Sequence, residues 1–122
     1  MYENLEIPYP EVKWSDIEGI ADTGAQSCLW GLSQFYKCGF KKHQLIPVKQ
    51  KMQAANRECI DIRGALFLTV KASDQITHVM VYVSPDVQGM YLSKQCLAEL
   101  RVISKHCRLW MFVETTTTNT PI

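Results

Sequence analysis

One acidic loop near the N-terminus constrains this chain more than any other feature: Asp22-Thr23-Gly24 occurs once in 122 residues. An apolar approach, Ile20-Ala21, leads directly into the acid, and Gly24 leaves room for another backbone to come close. Two carboxylates can share one proton at close range, because like charges about 3 Å apart cannot both ionise. One chain supplies one such loop. If Asp22 belongs to a carboxylate pair, a second copy of the chain must provide the other half across a two-fold axis.

Short strands and turns are predicted around this loop. Leading into the acid, 12–21 is predicted to hold a turn at Ser15-Asp16 before its apolar end, and Pro8 and Pro10 limit 5–12 to an edge strand. Further strands are predicted at 28–30, 65–72, 76–84 and 108–113, with a turn at 73–75 and a loop at 85–89.

A long hairpin is predicted over 44–70, because apolar residues recur at even spacing on both arms, with its apex at 54–57. Asn56 is the apex residue best able to take a positive φ. The clearest helix is 93–100, which Ser93 can cap, and 32–38 is predicted to form a helical turn capped by Ser33 and ended by Gly39.

The pattern Ile20-Ala21-Asp22-Thr23-Gly24-Ala25 resembles the active-site loop of the retropepsins, the single-domain aspartic proteases of retroviruses and retrotransposons. The stretch 90–97, MYLSKQCL, resembles the buried strand and helix of that family. The sequence around the acid is more similar to retrotransposon members than to retroviral ones. The resemblance implies an all-β fold, a retropepsin-like closed barrel of short strands with a flap hairpin and one short C-terminal helix. The domain would cover 1–113, followed by a flexible Thr-rich tail at 114–122.

The same resemblance implies the site residues. Asp22 would be catalytic, and Thr23 and Gly24 would support the loop. Substrate-binding positions would follow the acid and lie at the flap apex: Ala25, Gln26, Ala54, Ala55 and Asn56. Neither a metal nor another cofactor is expected.

Two functions remain open at this stage. One is a homodimeric aspartic endopeptidase that cuts an extended peptide; in a retroelement, this substrate would be the polyprotein. The alternative is a catalytically weak or inactive retropepsin-like module for dimerisation or peptide binding. Two departures from the family pattern keep the alternative open. Ser93-Lys94 replaces a glycine-arginine pair, so a Lys94–Gln26 contact would stand in place of an ion pair. In addition, the predicted flap has no glycine between Gly39 and Gly64.

Charge and cysteine content limit the classes of binding partner and the cellular location that are expected. Thirteen basic and 12 acidic residues give a net charge of +1, which favours neither nucleic acid nor an anionic membrane as a partner. Five cysteines without a CxxC pair predict reduced thiols in an intracellular protein, with retroelement particles as one location. Cys96, His106 and Cys107 lack a second close ligand pair, so no zinc site is predicted, and Asp61 is predicted to face solvent.

The chain ends are predicted to form the dimer contact. Leu5–Ile7 and 109–112 carry apolar side chains that a monomer of this size would leave partly exposed. Trp14, Trp30 and Trp110 are expected to anchor either the core or this interface.

Overall fold

Six strands close into a barrel in the computed structural model, which describes residues 13–22, 26–48, 52–53, 59–101 and 108–115. The strands are β1 (Trp14–Ala21), β2 (Cys28–Gly31), β3 (Met52–Gln53), β4 (Cys59–Ile60), β5 (Gly64–Ala72), β6 (Gln75–Ser84), β7 (Met90–Leu92) and β8 (Arg108–Glu114). The helices are α1 (Leu32–Lys37) and α2 (Lys94–Glu99), with a 3-10 turn at Lys42–Gln44.

The barrel order is β1-β7-β2-β6-β5-β8, and β8 closes it by pairing antiparallel with β1 from Trp14↔Glu114 to Ile20↔Arg108. On its other side β8 meets β5 at Val70↔Val113. The expected all-β closed barrel is confirmed. Within the described residues, α2 is the short C-terminal helix that the resemblance implied, and α1 lies at the helical turn predicted for 32–38.

Alternation along the long strands explains why the barrel closes around an apolar interior. On β5, Leu66, Leu68 and Val70 are buried while Phe67 between them is exposed. The six strands enclose an interior that is packed with apolar side chains. The buried cluster consists of Ile17, Cys28, Trp30, Phe35, Phe40, Leu66, Leu68, Val70, Ala72, Val81, Val83, Met90, Leu92, Cys96, Leu97, Leu100, Met111 and Val113.

Trp30 is the aromatic centre of this core, which agrees with the prediction that it anchors either the core or the dimer interface. Its ring makes edge contacts with Phe35 and Phe40, with centroids 5.8 and 5.7 Å apart, and Nε1 donates to Gln34 Oε1 at 2.7 Å. Trp110 differs, because its side chain is 71% exposed on the outer face of β8. It anchors no core in a single chain.

The predicted turn at Ser15-Asp16 is wrong, since β1 runs unbroken through both residues. Pairing with β8, Ser15↔Val113 and Asp16↔Phe112, holds them extended, and Asp16 points to solvent while Ile17 is buried. The local turn preference of Ser and Asp therefore yields to the strand ladder.

The cap predicted for α1 is also wrong, because the helix begins after Gly31 and no side chain caps it. Ser33 is exposed within the first turn. The predicted stop is confirmed: Gly39 has φ +96°, a left-handed conformation that glycine adopts without the steric cost of a Cβ.

The last strand extends one residue beyond the prediction of 108–113. Glu114 is the final residue of β8, and the Thr115 N–H donates to Lys13 O at 2.8 Å. Residues 116–122 lie outside the described residues, as does the Leu5–Ile7 segment of the expected dimer contact.

The predicted hairpin is formed in part. β3 and β4 pair antiparallel as Met52↔Ile60 and Gln53↔Cys59, a register for which position 56 is the midpoint, and Ile46 bridges to Ala65 nearer the barrel. The descending arm is interrupted at 61–63 before β5 begins. The predicted apex, including Ala54, Ala55 and Asn56, lies outside the described residues.

Within the described part of the chain, neither helix has the length or the apolar character needed to cross a bilayer.

Candidate active site

Asp22 stands directly after β1, where that strand meets β7. Its backbone N–H donates to Leu92 O at 2.9 Å, continuing the parallel β1–β7 ladder that ends at Ala21↔Leu92. Asp22 is partly buried. The strand register therefore fixes the backbone of Asp22, and its side chain is attached at the end of a hydrogen-bonded strand.

The two strands that flank the acidic loop lie on either side of β7. β1 is parallel to β7, β2 is antiparallel to it, and the chain passes from one to the other through 22–27. The Gly31 N–H donates to Gly89 O at 2.8 Å, which fixes the far end of β2 to the segment that enters β7. Three short strands thus hold both ends of the loop.

The structure describes two of the predicted site residues. Asp22 and Gln26 lie near opposite ends of the loop, and Gln26 is exposed beside a cavity of about 260 Å³ whose wall also includes Ser27 and Cys28. Thr23, Gly24 and Ala25 lie outside the described residues. The substrate roles of the loop and of the flap apex stay predictions.

The base of the predicted flap is tied to the end of β6. The Asp61 N–H donates to Asp86 Oδ2 at 3.0 Å, and the Arg63 N–H donates to Val83 O at 2.8 Å. Asp61 also forms an ion pair with Arg63, Nε to Oδ2 at 3.0 Å, in which both side chains are about half exposed. The prediction that Asp61 faces solvent is confirmed, and its contacts are those of a loop anchor.

Ser93 and Lys94, which stand where the resemblance would place a glycine-arginine pair, differ in exposure to solvent. Ser93 is buried and caps α2 by accepting a hydrogen bond from the Cys96 N–H at 3.3 Å, which confirms the predicted cap. Lys94 is exposed, and no hydrogen bond of the described residues joins it to Gln26. The expected Lys94–Gln26 contact is absent from a single described chain.

We expect Ser93→Ala to lower the free energy of unfolding by about 1–2 kcal/mol, because it removes a helix cap and leaves a buried N–H without its acceptor. Urea denaturation followed by circular dichroism measures the change. Ser33→Ala is the matched control, since Ser33 is exposed and caps no helix; we expect it to stay within about 0.5 kcal/mol of wild type. Equal effects of the two variants would contradict the capping role.

Sequence reasoning missed a cluster of two thiols and a hydroxyl, formed by Cys28, Cys96 and Ser93. Ser93 N–H donates to Cys28 Sγ at 3.4 Å, and the Cys28 thiol lies 3.6 Å from Ser93 Oγ. The hydrogen bond from the Cys96 thiol, with those from Ser93, lowers the pKa of Cys28 to about 6, although burial acts in the opposite direction. The same hydrogen bond and burial raise the pKa of Cys96.

Within the described residues, no group of three or more His, Cys, Asp or Glu side chains is placed so that it could hold a metal ion. His106 and Cys107 of the sequence grouping lie outside them.

Comparison with known proteins gives a likeness of structure. No family model matches the sequence, and no curated protein matches it. The structure is similar to the crystal structure of a retropepsin-like aspartic protease from Rickettsia conorii, with 15% sequence identity, a TM-score of 0.54, and coverage of 85% of this chain and 94% of that chain. The chain therefore has the retropepsin-like fold.

Proposed function

We propose that this chain is one subunit of a homodimeric aspartic endopeptidase, in which Asp22 and its symmetry mate form the catalytic carboxylate pair. The substrate is an extended peptide. Cleavage needs neither a metal nor another cofactor, because the two carboxylates handle both proton transfers.

The position of Asp22 is the observation that carries the proposal. The acid follows β1, its N–H is bonded to Leu92 O, and the retropepsin-like fold surrounds it. The tripeptide occurs once in the chain, so a pair requires two copies. A module that only bound peptides would have no chemical need for an acid at this point.

The reaction follows from a pair that holds one proton. The ionised carboxylate removes a proton from a water molecule, and the resulting hydroxide attacks the amide carbon. The protonated carboxyl donates to the carbonyl oxygen as negative charge develops there. A proton then passes to the amide nitrogen and the C–N bond breaks, leaving one new carboxyl and one new amine. Mildly acidic solution favours the singly protonated pair that this cycle requires.

The remaining predicted roles complete the proposal. Thr23 and Gly24 support the loop, while Ala25, Gln26 and the hairpin apex at Ala54, Ala55 and Asn56 contact the peptide. The β3–β4 hairpin would close over the substrate and exclude water from the reacting atoms. More specifically, the enzyme would be of the retrotransposon type and would cut its own polyprotein; the residue sequence of the acidic loop supports this assignment.

Incubation with a diverse peptide library between pH 4 and 8 tests the proposal. We expect cleavage products with a maximum at mildly acidic pH, and their loss when pepstatin, an inhibitor of aspartic proteases, is added. Mass spectrometry identifies the cut bonds. Sedimentation at the same pH values reports whether the protein is dimeric. Binding of peptides without cleavage, by a dimer at the acidic pH values, would favour the alternative function, a non-catalytic peptide-binding module.

A further inference from the structure

Two cysteines from distant parts of the chain meet at the start of β2. Cys28 is the first residue of β2 and Cys96 lies in α2; the two are 1% and 2% exposed. Ser93 holds them together, because its N–H and hydroxyl contact Cys28 Sγ at 3.4 and 3.6 Å while its Oγ accepts from the Cys96 N–H. The two thiols are close enough for each to shift the pKa of the other. Both cysteines are free.

A small polar molecule can approach this pair. Cys28 and Cys96 border the cavity of about 260 Å³, and the same wall carries the polar side chains of His78, Gln95 and Glu99. His78, Gln95 and Glu99 are all exposed, so the cavity opens to water. The low exposure of the two cysteines favours small reagents over bulky ones.

The pair is divided into a nucleophile and a partner that keeps its proton. Hydrogen bonds from the Cys96 thiol and from Ser93 favour the thiolate at Cys28 and lower its pKa, so Cys28 is the more readily ionised of the two cysteines. Cys96 remains a thiol, because its hydrogen bond to Cys28 and its burial raise its pKa. A reactive thiolate beside a resolving thiol is the usual arrangement of redox-sensitive cysteines.

We propose that Cys28 and Cys96 form a dithiol that hydroperoxides oxidise to an intramolecular disulfide. The Cys28 thiolate attacks the peroxide oxygen, the O–O bond breaks, and the products are a sulfenic acid and hydroxide, which takes up a proton. The Cys96 sulfur then attacks the Cys28 sulfur, the S–O bond breaks, and water leaves. Two thiols lose two electrons and two protons in total, and hydrogen peroxide becomes two molecules of water. An excess of external thiol reverses the reaction by exchange.

The other described cysteines are in different surroundings. Cys38 lies at the end of α1, where burial raises its pKa, and Cys59 is exposed on β4. Neither is paired with a second described cysteine. The dithiol would respond to peroxide whether or not the chain cleaves peptides, so its test is separate from the peptidase assay.

Trypsin separates the five cysteines onto five peptides, which makes the test direct. The folded full-length protein is treated with hydrogen peroxide, unfolded in the presence of N-ethylmaleimide, and digested without reductant. We expect peptide 14–37, which contains only Cys28, to appear disulfide-linked to peptide 95–101, which contains only Cys96. The number of free thiols per chain is expected to fall by two, and dithiothreitol to restore both.

Single variants assign the order of the two steps. Dimedone, a reagent for sulfenic acids, is added as the peroxide-treated protein is unfolded. In Cys96→Ser it is expected to label Cys28; in Cys28→Ser, Cys96 is expected to stay unlabelled after the same peroxide treatment. Cys59→Ser is the matched control and keeps the 28–96 link. The proposal is overturned if wild-type protein yields no 28–96 link while Cys59 becomes oxidised, or if sulfenic acid forms on Cys96 instead of Cys28.

Discussion

Asp22→Asn is expected to lower kcat/KM for peptide cleavage by about 10³-fold or more, because the amide can neither accept a proton from water nor return one to the substrate. The fold is expected to survive. Asparagine has nearly the same volume as aspartate, and the bond that fixes the residue, to Leu92 O, uses the backbone N–H. Initial rates on a peptide identified in the library measure the loss, and circular dichroism with thermal melting establishes that the variant is folded.

Asp74→Asn is the matched control for this change. Asp74 is exposed in the two-residue turn between β5 and β6, a position that asparagine tolerates equally well. We expect its activity to equal that of wild type within about twofold, since surface substitutions of this kind change little. An Asp22→Asn protein that cleaved as fast as the Asp74→Asn protein would remove Asp22 from the catalytic role.

Mixing wild-type and Asp22→Asn subunits separates a shared dyad from two independent sites. If both carboxylates of a pair are needed, only wild-type homodimers are active, and an equal mixture retains about one quarter of the activity per total dimer. Independent sites would retain about one half. A linear fall with the fraction of variant would therefore contradict the homodimeric mechanism even if Asp22 itself is essential.

Local patterns were sufficient for much of the barrel. Strands at 65–72 and 76–84 were predicted within a residue because their apolar residues alternate and a Ser73-Asp74 turn separates them; the structure pairs Ala72 with Gln75 across that turn. Ser15-Asp16 was misread for the opposite reason. The ladder to β8, nearly a hundred positions away in sequence, holds those residues extended, and no local window of sequence contains that pairing.

The candidate site divides in the same way. The acidic loop and the Ser93 cap are short-range signatures, and the sequence was enough to predict the cap and to select Asp22 as the candidate acid. The thiol cluster was out of reach, because Cys28 and Ser93 lie 65 positions apart and only the β1-β7-β2 arrangement brings them together. A buried cysteine in a strand and another on the inner side of a helix each look like ordinary core residues when considered alone.

The same arrangement makes Gly31 the position least able to accept a side chain among the described glycines. A Cβ on Gly31 would lie 2.5 Å from the carbonyl oxygen of Val87 and 3.2 Å from the Gly89 nitrogen, so backbone would have to move. The Gly31 dihedral angles, φ −68° and ψ 132°, suit any residue, which leaves space as the sole reason for glycine. That close approach permits the 2.8 Å hydrogen bond between Gly31 and Gly89, which fixes the segment entering β7.

Gly31→Ala is therefore expected to lower the free energy of unfolding by about 3 kcal/mol, through overpacking against backbone that cannot yield cheaply. Gly39→Ala is the informative control, because its constraint is of the other kind: φ is +96°, and a Cβ added there would have no neighbouring atom within 4 Å. We expect it to cost about 1 kcal/mol through backbone strain alone. Urea denaturation of both variants measures the difference. If Gly39→Ala proved the more damaging, or if Gly31→Ala unfolded at the wild-type urea concentration, the β2 contact that helps hold the Asp22 loop would be looser than its geometry requires.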